Sequence, residues 1–261
     1  MTDRPSGSVR YDNAGRVALV TGGASGIGQA ICSSFADSGA HVVCLDVRPA
    51  TDERVFNRQC DTAEESQCRE AVDWTMEQYG GIDVLVNNAA IQPKGSYHPI
   101  DQVEREIWDR MVAVNLSGYT WMAQQVLPHM RRQQCGVIVN IASGQAHRTA
   151  RQVGVYGPIK AANVMQTRQW GVEYARDGIR VVSVSPGAID TPMIRATLEA
   201  QGGAAALANR HPLGRIGRPD EVASSVLWLS SDAASFITAT DVEVDGGLGA
   251  FGAFADPFPL D

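Results

Sequence analysis

The sequence predicts an α/β fold, a doubly wound Rossmann-type sheet of seven parallel strands with helices on both faces. Short apolar runs alternate along the chain with longer segments whose apolar residues recur at helical spacing. Strands and helices that alternate in this way pair in parallel through right-handed crossovers, and the helices then cover both faces of the sheet. No linker-like shift in composition divides the 261 residues, so we expect one large domain.

Seven segments are predicted as strands because each is a short apolar run bounded by turn residues. They are Arg16–Val20, His41–Asp46, Arg54–Cys60, Ile82–Asn87, Val137–Ala142, Arg180–Ser185 and Asp241–Val244. Five segments between them carry helical patterns, and several end before a glycine, which favours helix termination. These helices are Gly28–Ser38, Glu64–Tyr79, Val103–Gln133, Pro158–Arg176 and Pro219–Leu229.

The single domain is expected to span residues 1–261, with an N-terminal extension over 1–14 and a C-terminal tail over 250–261. The segment from Met193 to Arg215 does not follow the alternation of strands and helices, and its Ala- and Gly-rich sequence fits either a mobile lid or a surface excursion. Aromatic residues in the tail (Phe251, Phe254 and Phe258) are expected to dock, on this chain or on another subunit.

Charge excludes two classes of partner. The chain has 29 acidic and 22 basic residues, a net charge of −7, and no block of Lys and Arg. Nucleic acid and anionic membrane surfaces require a basic patch, so neither is an expected partner. The N-terminal residues lack an apolar signal region, and no run approaches the ~18 apolar residues of a membrane span.

The cysteines predict neither disulfides nor a metal site. There are five, scattered through the chain and without a CxxC pair: Cys32, Cys44, Cys60, Cys68 and Cys135. Reduced thiols in a cytoplasmic protein are the expected state.

A glycine-rich turn from Thr21 to Gly28 lies between the first strand and the first helix. Glycines let the backbone approach a phosphate closely, and the helix N-terminus offers free N–H groups to the anion. Asp46 ends the second strand 18 residues beyond Gly28, where a carboxylate can accept hydrogen bonds from an adenosine ribose. These features predict dinucleotide binding, and the absence of Gly-Lys-Ser/Thr excludes a mononucleotide P-loop. Asp46 favours NAD, since it would repel the 2′-phosphate of NADP, although Arg48 could bind that phosphate.

Tyr156 and Lys160 are spaced i, i+4, which places both side chains on one face of a helix. At about 5 Å and an effective dielectric near 20, Coulomb attraction of roughly 3 kcal/mol would lower the phenol pKa by about two units. Tyr156 is therefore a candidate proton acceptor. Pro158 fits if the helix starts near Gly157, because its missing N–H then falls in the first turn.

Together these motifs resemble the short-chain dehydrogenase/reductase family, in its single-domain branch of about 250 residues. The resemblance covers the chain from about Gly15 to Gly249 and departs from the family pattern at Ala90 and Pro158, where no reacting group is lost. It rests on Thr21 to Gly28, Asn87-Asn88-Ala89-Ala90, Asn115, Ser143, Tyr156 with Lys160, Pro186-Gly187 with Thr191, and Val244-Asp245-Gly246-Gly247.

The resemblance implies a role for each matching residue. Tyr156 would be the acid/base, Lys160 would lower its pKa and bind the nicotinamide ribose, Ser143 would hold the substrate oxygen, and Asn115 would position a water in a proton relay. Gln145 would join Ser143 and Tyr156 at the substrate. The implied NAD contacts are Gly22, Ser25, Gly26, Ile27, Gly28, Asp46, Asp61, Asn88, Ala89, Tyr156, Lys160, Pro186, Gly187, Ile189 and Thr191.

The expected activity is hydride transfer between NAD(H) and a secondary alcohol or ketone, with a polyol, a sugar or a cyclic hydroxylated compound as the candidate substrates. The alternatives are a 3-oxoacyl-thioester reductase and, from another class, a catalytically idle dinucleotide-binding regulator. The family usually pairs through its long helices, so a homotetramer or homodimer is expected. Four large side chains on these helices could serve that interface but are expected in the core: Trp121, Met122, Met165 and Trp170.

Overall fold

The computed structural model describes residues 7–198 and 202–252. Their seven strands form one sheet in the order β3-β2-β1-β4-β5-β6-β7, and every neighbouring pair is parallel. The predicted fold class is therefore confirmed. The strands are β1 (Val17–Thr21), β2 (His41–Asp46), β3 (Phe56–Gln59), β4 (Val84–Asn87), β5 (Gly136–Ile141), β6 (Ile179–Pro186) and β7 (Thr240–Val244).

Helices cover both faces of this sheet. Ile31 and Val226 belong to the apolar cluster on one face, while Val72 and Met122 belong to the cluster on the other. The strand order reverses between β1 and β4, and in such sheets a ligand cleft opens at the carboxyl ends of the strands. The helices are α1 (Gly26–Asp37), α2 (Glu65–Tyr79), α3 (Arg105–Val112), α4 (Gly118–Gln133), α5 (Tyr156–Glu173), α6 (Pro192–Arg195), α7 (Gly203–Ala208) and α8 (Pro219–Ser230).

The helix predicted over Val103–Gln133 is interrupted. It begins at Arg105, and Ala113–Ser117 form a π-helical turn between α3 and α4. Within that turn, the Asn115 side chain accepts a hydrogen bond from the N–H of Ile91 and donates one to its carbonyl, both at 2.8 Å. The π-helical turn therefore occurs where the helix contacts the loop that contains Ile91. Such turns inside helices often mark functional sites.

The strand predicted over Arg54–Cys60 is shorter in the structure. Arg54 lies in a turn, where its backbone N–H donates to the Asp52 carboxylate at 3.1 Å and its guanidinium pairs with the same group. Pairing with β2 therefore starts only at Phe56.

Of the four large side chains expected in the core, Met122 is fully buried, and Trp121 and Trp170 are half-buried against the core. The expectation is wrong for Met165, whose residue surface is 58% exposed. It lies on the outer face of α5, close to the 73%-exposed Val172.

Two stretches do not follow the alternation of strands and helices, Met193–Arg215 and the C-terminal tail. Both contribute residues to the ligand cleft at the carboxyl ends of the strands. The part of Met193–Arg215 that the structure describes contains most of α6 and all of α7, and residues 199–201 lie outside the description. Phe251 from the tail lies against the same cleft, whereas Phe254 and Phe258 are outside the described residues. Within 7–198 and 202–252, no helix combines the length and the apolar character needed to cross a bilayer.

Candidate active site

A cleft of about 650 Å³ opens at the carboxyl ends of the strands. It collects nearly all of the residues that the sequence assigned to the cofactor. Gly28 is the exception, since it lies behind the glycine turn and not on the cleft surface. The assigned residues that line the cleft are Gly22, Ser25, Gly26, Ile27, Asp46, Asp61, Asn88, Ala89, Tyr156, Lys160, Pro186, Gly187, Ile189 and Thr191.

The glycine turn is folded too tightly for side chains. Gly22 has φ +65°, and a Cβ there would come within 2.8 Å of the Ala89 Cα. A Cβ on Gly28 would overlap the carbonyl oxygen of Gly22. No side chain caps the start of α1, so its first N–H groups are available to an anion. This cradle fits the pyrophosphate of a dinucleotide.

Two polar side chains fix the turn against β4. The amide nitrogen of Asn88 donates to the carbonyls of Thr21 and Gly22, at 2.9 and 3.0 Å. In return, the Thr21 hydroxyl accepts the N–H groups of Asn88 and Ala89. The turn is therefore held in shape before any ligand binds.

Asp46 lies at the end of β2 with its carboxylate beside the turn. One oxygen accepts the N–H of Ala24 at 3.1 Å, and the other accepts the N–H of Arg48 at 3.0 Å. The Arg48 guanidinium lies beside the same carboxylate, with its Nε 3.9 Å from one Asp46 oxygen, and it also donates to the Ser25 hydroxyl at 3.1 Å. A buried, oriented carboxylate in this position suits the two hydroxyls of an adenosine ribose.

Tyr156 is the first residue of α5, and Pro158 consequently falls in the first helical turn, as its missing N–H requires. Ser143 follows β5, where its hydroxyl accepts the N–H of Gln145 at 3.2 Å. Burial raises the pKa of the Tyr156 phenol to about 12, and this effect outweighs that of the Ser143 side chain, which acts to lower it.

The expected lowering of the Tyr156 pKa by Lys160 is not present in this structure. The Lys160 ammonium lies 5.7 Å from the centre of the Tyr156 ring and donates instead to the Ile141 carbonyl at 2.7 Å. Burial lowers the pKa of Lys160 to about 7, because a buried ammonium is poorly solvated. A lysine that is half neutral stabilises a phenolate less than the fixed charge assumed from the sequence.

Asn115 is fully buried and does not line the cleft. Its backbone carbonyl accepts the side-chain amide of Asn163 on α5 at 3.1 Å. Together with its two bonds to Ile91, this contact joins the π-turn to the helix that carries Tyr156 and Lys160.

The substrate end of the cleft contains residues that the sequence analysis missed. His211 is buried, its Nδ1 donates to the Leu207 carbonyl at 3.0 Å, and its Nε2 accepts the N–H of Ala188 at 3.1 Å. These contacts fix a neutral ring, with the proton on Nδ1. Gln145 lines the cleft as expected, but His147 does not, since its ring bonds Asp241 at 2.8 Å. No local pattern in the sequence marks His211.

A phosphate cradle, a ribose-facing carboxylate and a Ser–Tyr–Lys set at one edge of a parallel sheet define a nicotinamide-dinucleotide oxidoreductase. No group of three or more His, Cys, Asp or Glu side chains suited to a metal occurs among the residues that the structure describes.

The chain belongs to the short-chain dehydrogenase/reductase family. A family model described as Enoyl-(Acyl carrier protein) reductase matches residues 22–249. The 4-formylbenzenesulfonate dehydrogenase of Comamonas testosteroni is 38% identical, covering 89% of this chain and 97% of that protein. The cis-4-hydroxycyclohexanecarboxylate dehydrogenase of Sinomonas cyclohexanicum is also 38% identical, over 90% and 97%. The ligand-free aldohexose dehydrogenase of Thermoplasma acidophilum superposes with TM-score 0.88 and 35% identity, over 95% and 98%. The chain is therefore an oxidoreductase that acts on secondary alcohols or ketones.

Similar solved structures include complexes with both cofactors. A 3-ketoacyl-(acyl-carrier-protein) reductase from Brucella melitensis, 32% identical with TM-score 0.82 over 90% of this chain and 99% of that one, is complexed with NADH. ElxO, 27% identical with TM-score 0.84 over 90% and 99%, has NADP bound. The fold binds a nicotinamide dinucleotide, and the choice between the two depends on local residues.

Proposed function

We propose that this chain oxidises a secondary alcohol with NAD, and that Tyr156 accepts the hydroxyl proton. The observation that carries the proposal is that Ser143 and Tyr156 line the same cleft, with Tyr156 one helical turn from the buried Lys160. Bound nicotinamide supplies the hydride acceptor, which no side chain can replace. Ser143 and Tyr156 then orient the substrate oxygen between them.

Each implied residue has a role in this proposal. Ser143, Tyr156 and Lys160 act on the substrate oxygen and the nicotinamide ribose, and Asn115 braces α5 through Asn163. Gly22, Ser25, Gly26 and Ile27 would hold the pyrophosphate, with Gly28 giving the turn its shape. Asp46 binds the adenosine ribose. The remaining cofactor contacts are Asp61, Asn88, Ala89, Pro186, Gly187, Ile189 and Thr191.

NAD is favoured over NADP because of the Asp46 carboxylate. Both of its oxygens already accept backbone N–H groups, so the charge cannot turn away from a 2′-phosphate. The residue that could favour NADP is Arg48, whose exposed guanidinium lies 3.9 Å from the Asp46 carboxylate and also bonds Ser25. NAD is still favoured because the Asp46 carboxylate is the buried and fixed charge of the two.

The proposed substrate is a polar hydroxylated compound, a polyol, a sugar or a cyclic alcohol. Gln92 and Gln145 line the cleft, and each has a buried amide atom without a hydrogen-bond partner in the described structure. Buried polar atoms need partners, which hydroxyl groups can supply. The alternative is a 3-oxoacyl-thioester reductase. A similar reductase of this kind is complexed with NADH, so a preference for NAD does not exclude this alternative. A catalytically idle regulator finds no support among relatives that are named for their activity.

We further propose that the chain forms a single cytoplasmic domain and assembles as a homotetramer or homodimer. Met165 and Val172 expose apolar surface on α5, and such surface is usually covered in an assembly.

The deciding experiment is a screen of secondary alcohols, polyols and sugars with NAD, read as NADH absorbance. The proposal expects turnover of at least one hydroxylated compound at alkaline pH. Activity confined to reduction of 3-oxoacyl thioesters would overturn it in favour of the alternative.

A further inference from the structure

Lys160 is a buried cation without a carboxylate partner. Its side chain is 1% exposed, and none of the ion pairs among the described residues includes it. A buried ammonium needs other stabilisation, because loss of hydration disfavours its charge. Two hydrogen-bond acceptors supply it, the Ile141 carbonyl at 2.7 Å and the phenol oxygen of Tyr119 at 3.2 Å.

Tyr119 is fixed in place for this contact. Its hydroxyl donates to the same Ile141 carbonyl at 3.0 Å, which leaves the lone pairs of the phenol oxygen directed to the lysine. Its backbone carbonyl accepts the side-chain amide of Asn87 on β4 at 3.4 Å. The ring is fully buried, and the ammonium lies 5.0 Å from its centre. The Lys160 ammonium, the Tyr119 hydroxyl and the Ile141 carbonyl are thus hydrogen-bonded to one another, and these bonds hold the ammonium at the bottom of the cleft.

We propose that Tyr119 is a positioning residue that holds Lys160 in its charged form beneath Tyr156. Tyr119 does not line the cleft and so acts through Lys160 alone. The proposal adds a residue to the proposed site and rests on the role of Lys160 in that function.

The chemistry sets the direction of the effect. A phenol oxygen that accepts a hydrogen bond favours the ammonium over the neutral amine. The titratable side chains that face Lys160 are Tyr119 from α4 and Tyr156 from its own helix, while β5 contributes only the Ile141 carbonyl. Tyr119→Phe removes the acceptor and keeps the ring. The Ile141 carbonyl still accepts from Lys160, so the substitution leaves it with a partner.

The sequence allows a direct measurement. Lys94 and Lys160 are the only lysines, and Lys94 is exposed on the loop after β4. In a Lys94→Arg background, lysine carrying carbon-13 at Cε gives a single side-chain signal, whose shift with pH reports the ionisation of Lys160. This readout needs neither substrate nor turnover, so it remains valid even if the proposed function fails.

We expect Tyr119→Phe to lower the pKa of Lys160 by about one unit, the scale of one hydrogen bond to a charged group. Tyr174→Phe is the matched control, since Tyr174 lies at the far end of α5, and it should leave the Lys160 titration unchanged. Placing 3-fluorotyrosine at position 119 retains the hydroxyl but weakens it as an acceptor, and should give a smaller shift in the same direction. This second substitution keeps the test valid if Tyr119→Phe does not fold.

Once an alcohol substrate is known, the pH dependence of its oxidation rate provides a second test. With Lys160 less charged, the Tyr156 phenolate is stabilised less, and the rise of the oxidation rate with pH should move to higher pH in Tyr119→Phe. A Lys160 pKa within about 0.3 units of the parent in both position-119 proteins would overturn the proposal, as would lowered thermal stability without any titration shift.

Discussion

The carboxylate of Asp46, at the end of β2, accepts the backbone N–H of Ala24 in the glycine turn at 3.1 Å. This bond fixes a negative charge beside the backbone that would carry the pyrophosphate. The proposed preference for NAD therefore depends on the position of this charge and not only on its presence.

Asp46→Asn should increase kcat/KM for NADP by roughly 10- to 100-fold, since it removes a like charge worth about 1–4 kcal/mol near the 2′-phosphate. The amide has the shape of the carboxylate, so NAD turnover should fall much less. Steady-state kinetics with both cofactors measure the change. Adding Arg48→Ala to this variant is the control, and it should reduce the gain if Arg48 binds the phosphate. Preference of the unmodified protein for NADP would contradict the assignment.

Tyr156→Phe should lower kcat by on the order of 10²–10⁴-fold, because it deletes the acid/base group and keeps the ring. NADH binding should persist, since the glycine turn and Asp46 are untouched. Fluorescence titration with NADH separates binding from chemistry. Near-normal turnover of a good substrate would show that the proton goes elsewhere.

Alcohol oxidation should accelerate with pH. The phenol of Tyr156 must lose its proton before it accepts one, and burial raises its pKa to about 12 in the free protein. Below that pKa the phenolate fraction grows with pH, so log kcat/KM should rise. The profile of Lys160→Met, which lacks the ammonium, should lie at still higher pH. A pH-independent rate from neutral to alkaline pH would argue against a phenolate base.

Lys160→Met should slow alcohol oxidation and yet stabilise the fold at neutral pH. Burial lowers the pKa of Lys160 to about 7, and a free lysine titrates near 10.4, so between these values the unfolded chain binds more protons. The wild-type free energy of unfolding consequently gains from Lys160 as pH rises. The stability advantage of the variant, on the order of a few kcal/mol at pH 7, should shrink toward pH 10. Urea unfolding at several pH values tests this, and an advantage that grows with pH would refute it.

Gly28→Ala should weaken NAD binding by about 10- to 100-fold, the cost of inserting a methyl group into a closed contact. The new Cβ overlaps the Gly22 carbonyl oxygen, so the turn must open. Gly7→Ala is the control, because a Cβ there meets nothing within 4 Å. Isothermal titration with NAD compares the two, and equal affinities would mean that the turn adapts at no cost.

Features that depend on short stretches of chain were predictable from the sequence. The spacing of Tyr156 and Lys160 and the turn before Gly28 are local, and the alternation of strands and helices fixes which strand ends carry Asp46 and Ser143. Contacts between distant segments were not predictable. Asn115 bonds Ile91, 24 residues earlier in the chain, and the π-turn occurs at that contact. Tyr119 meets Lys160, 41 residues later, and nothing in its immediate neighbours marks the pairing. The low charge of Lys160 also depends on burial, which spacing alone does not reveal.

Two pairs of polar side chains attach the loop after Ser143 to β7. His147 bonds Asp241 at 2.8 Å and Arg148 bonds Glu243 at 3.2 Å. The ribosome adds Asp241 and Glu243 about a hundred residues after the loop that they anchor. The loop therefore lacks these anchors until β7 has been made, and a nascent or truncated chain that ends before Thr240 contains Ser143, Tyr156 and Lys160 without the strand that braces the loop after Ser143.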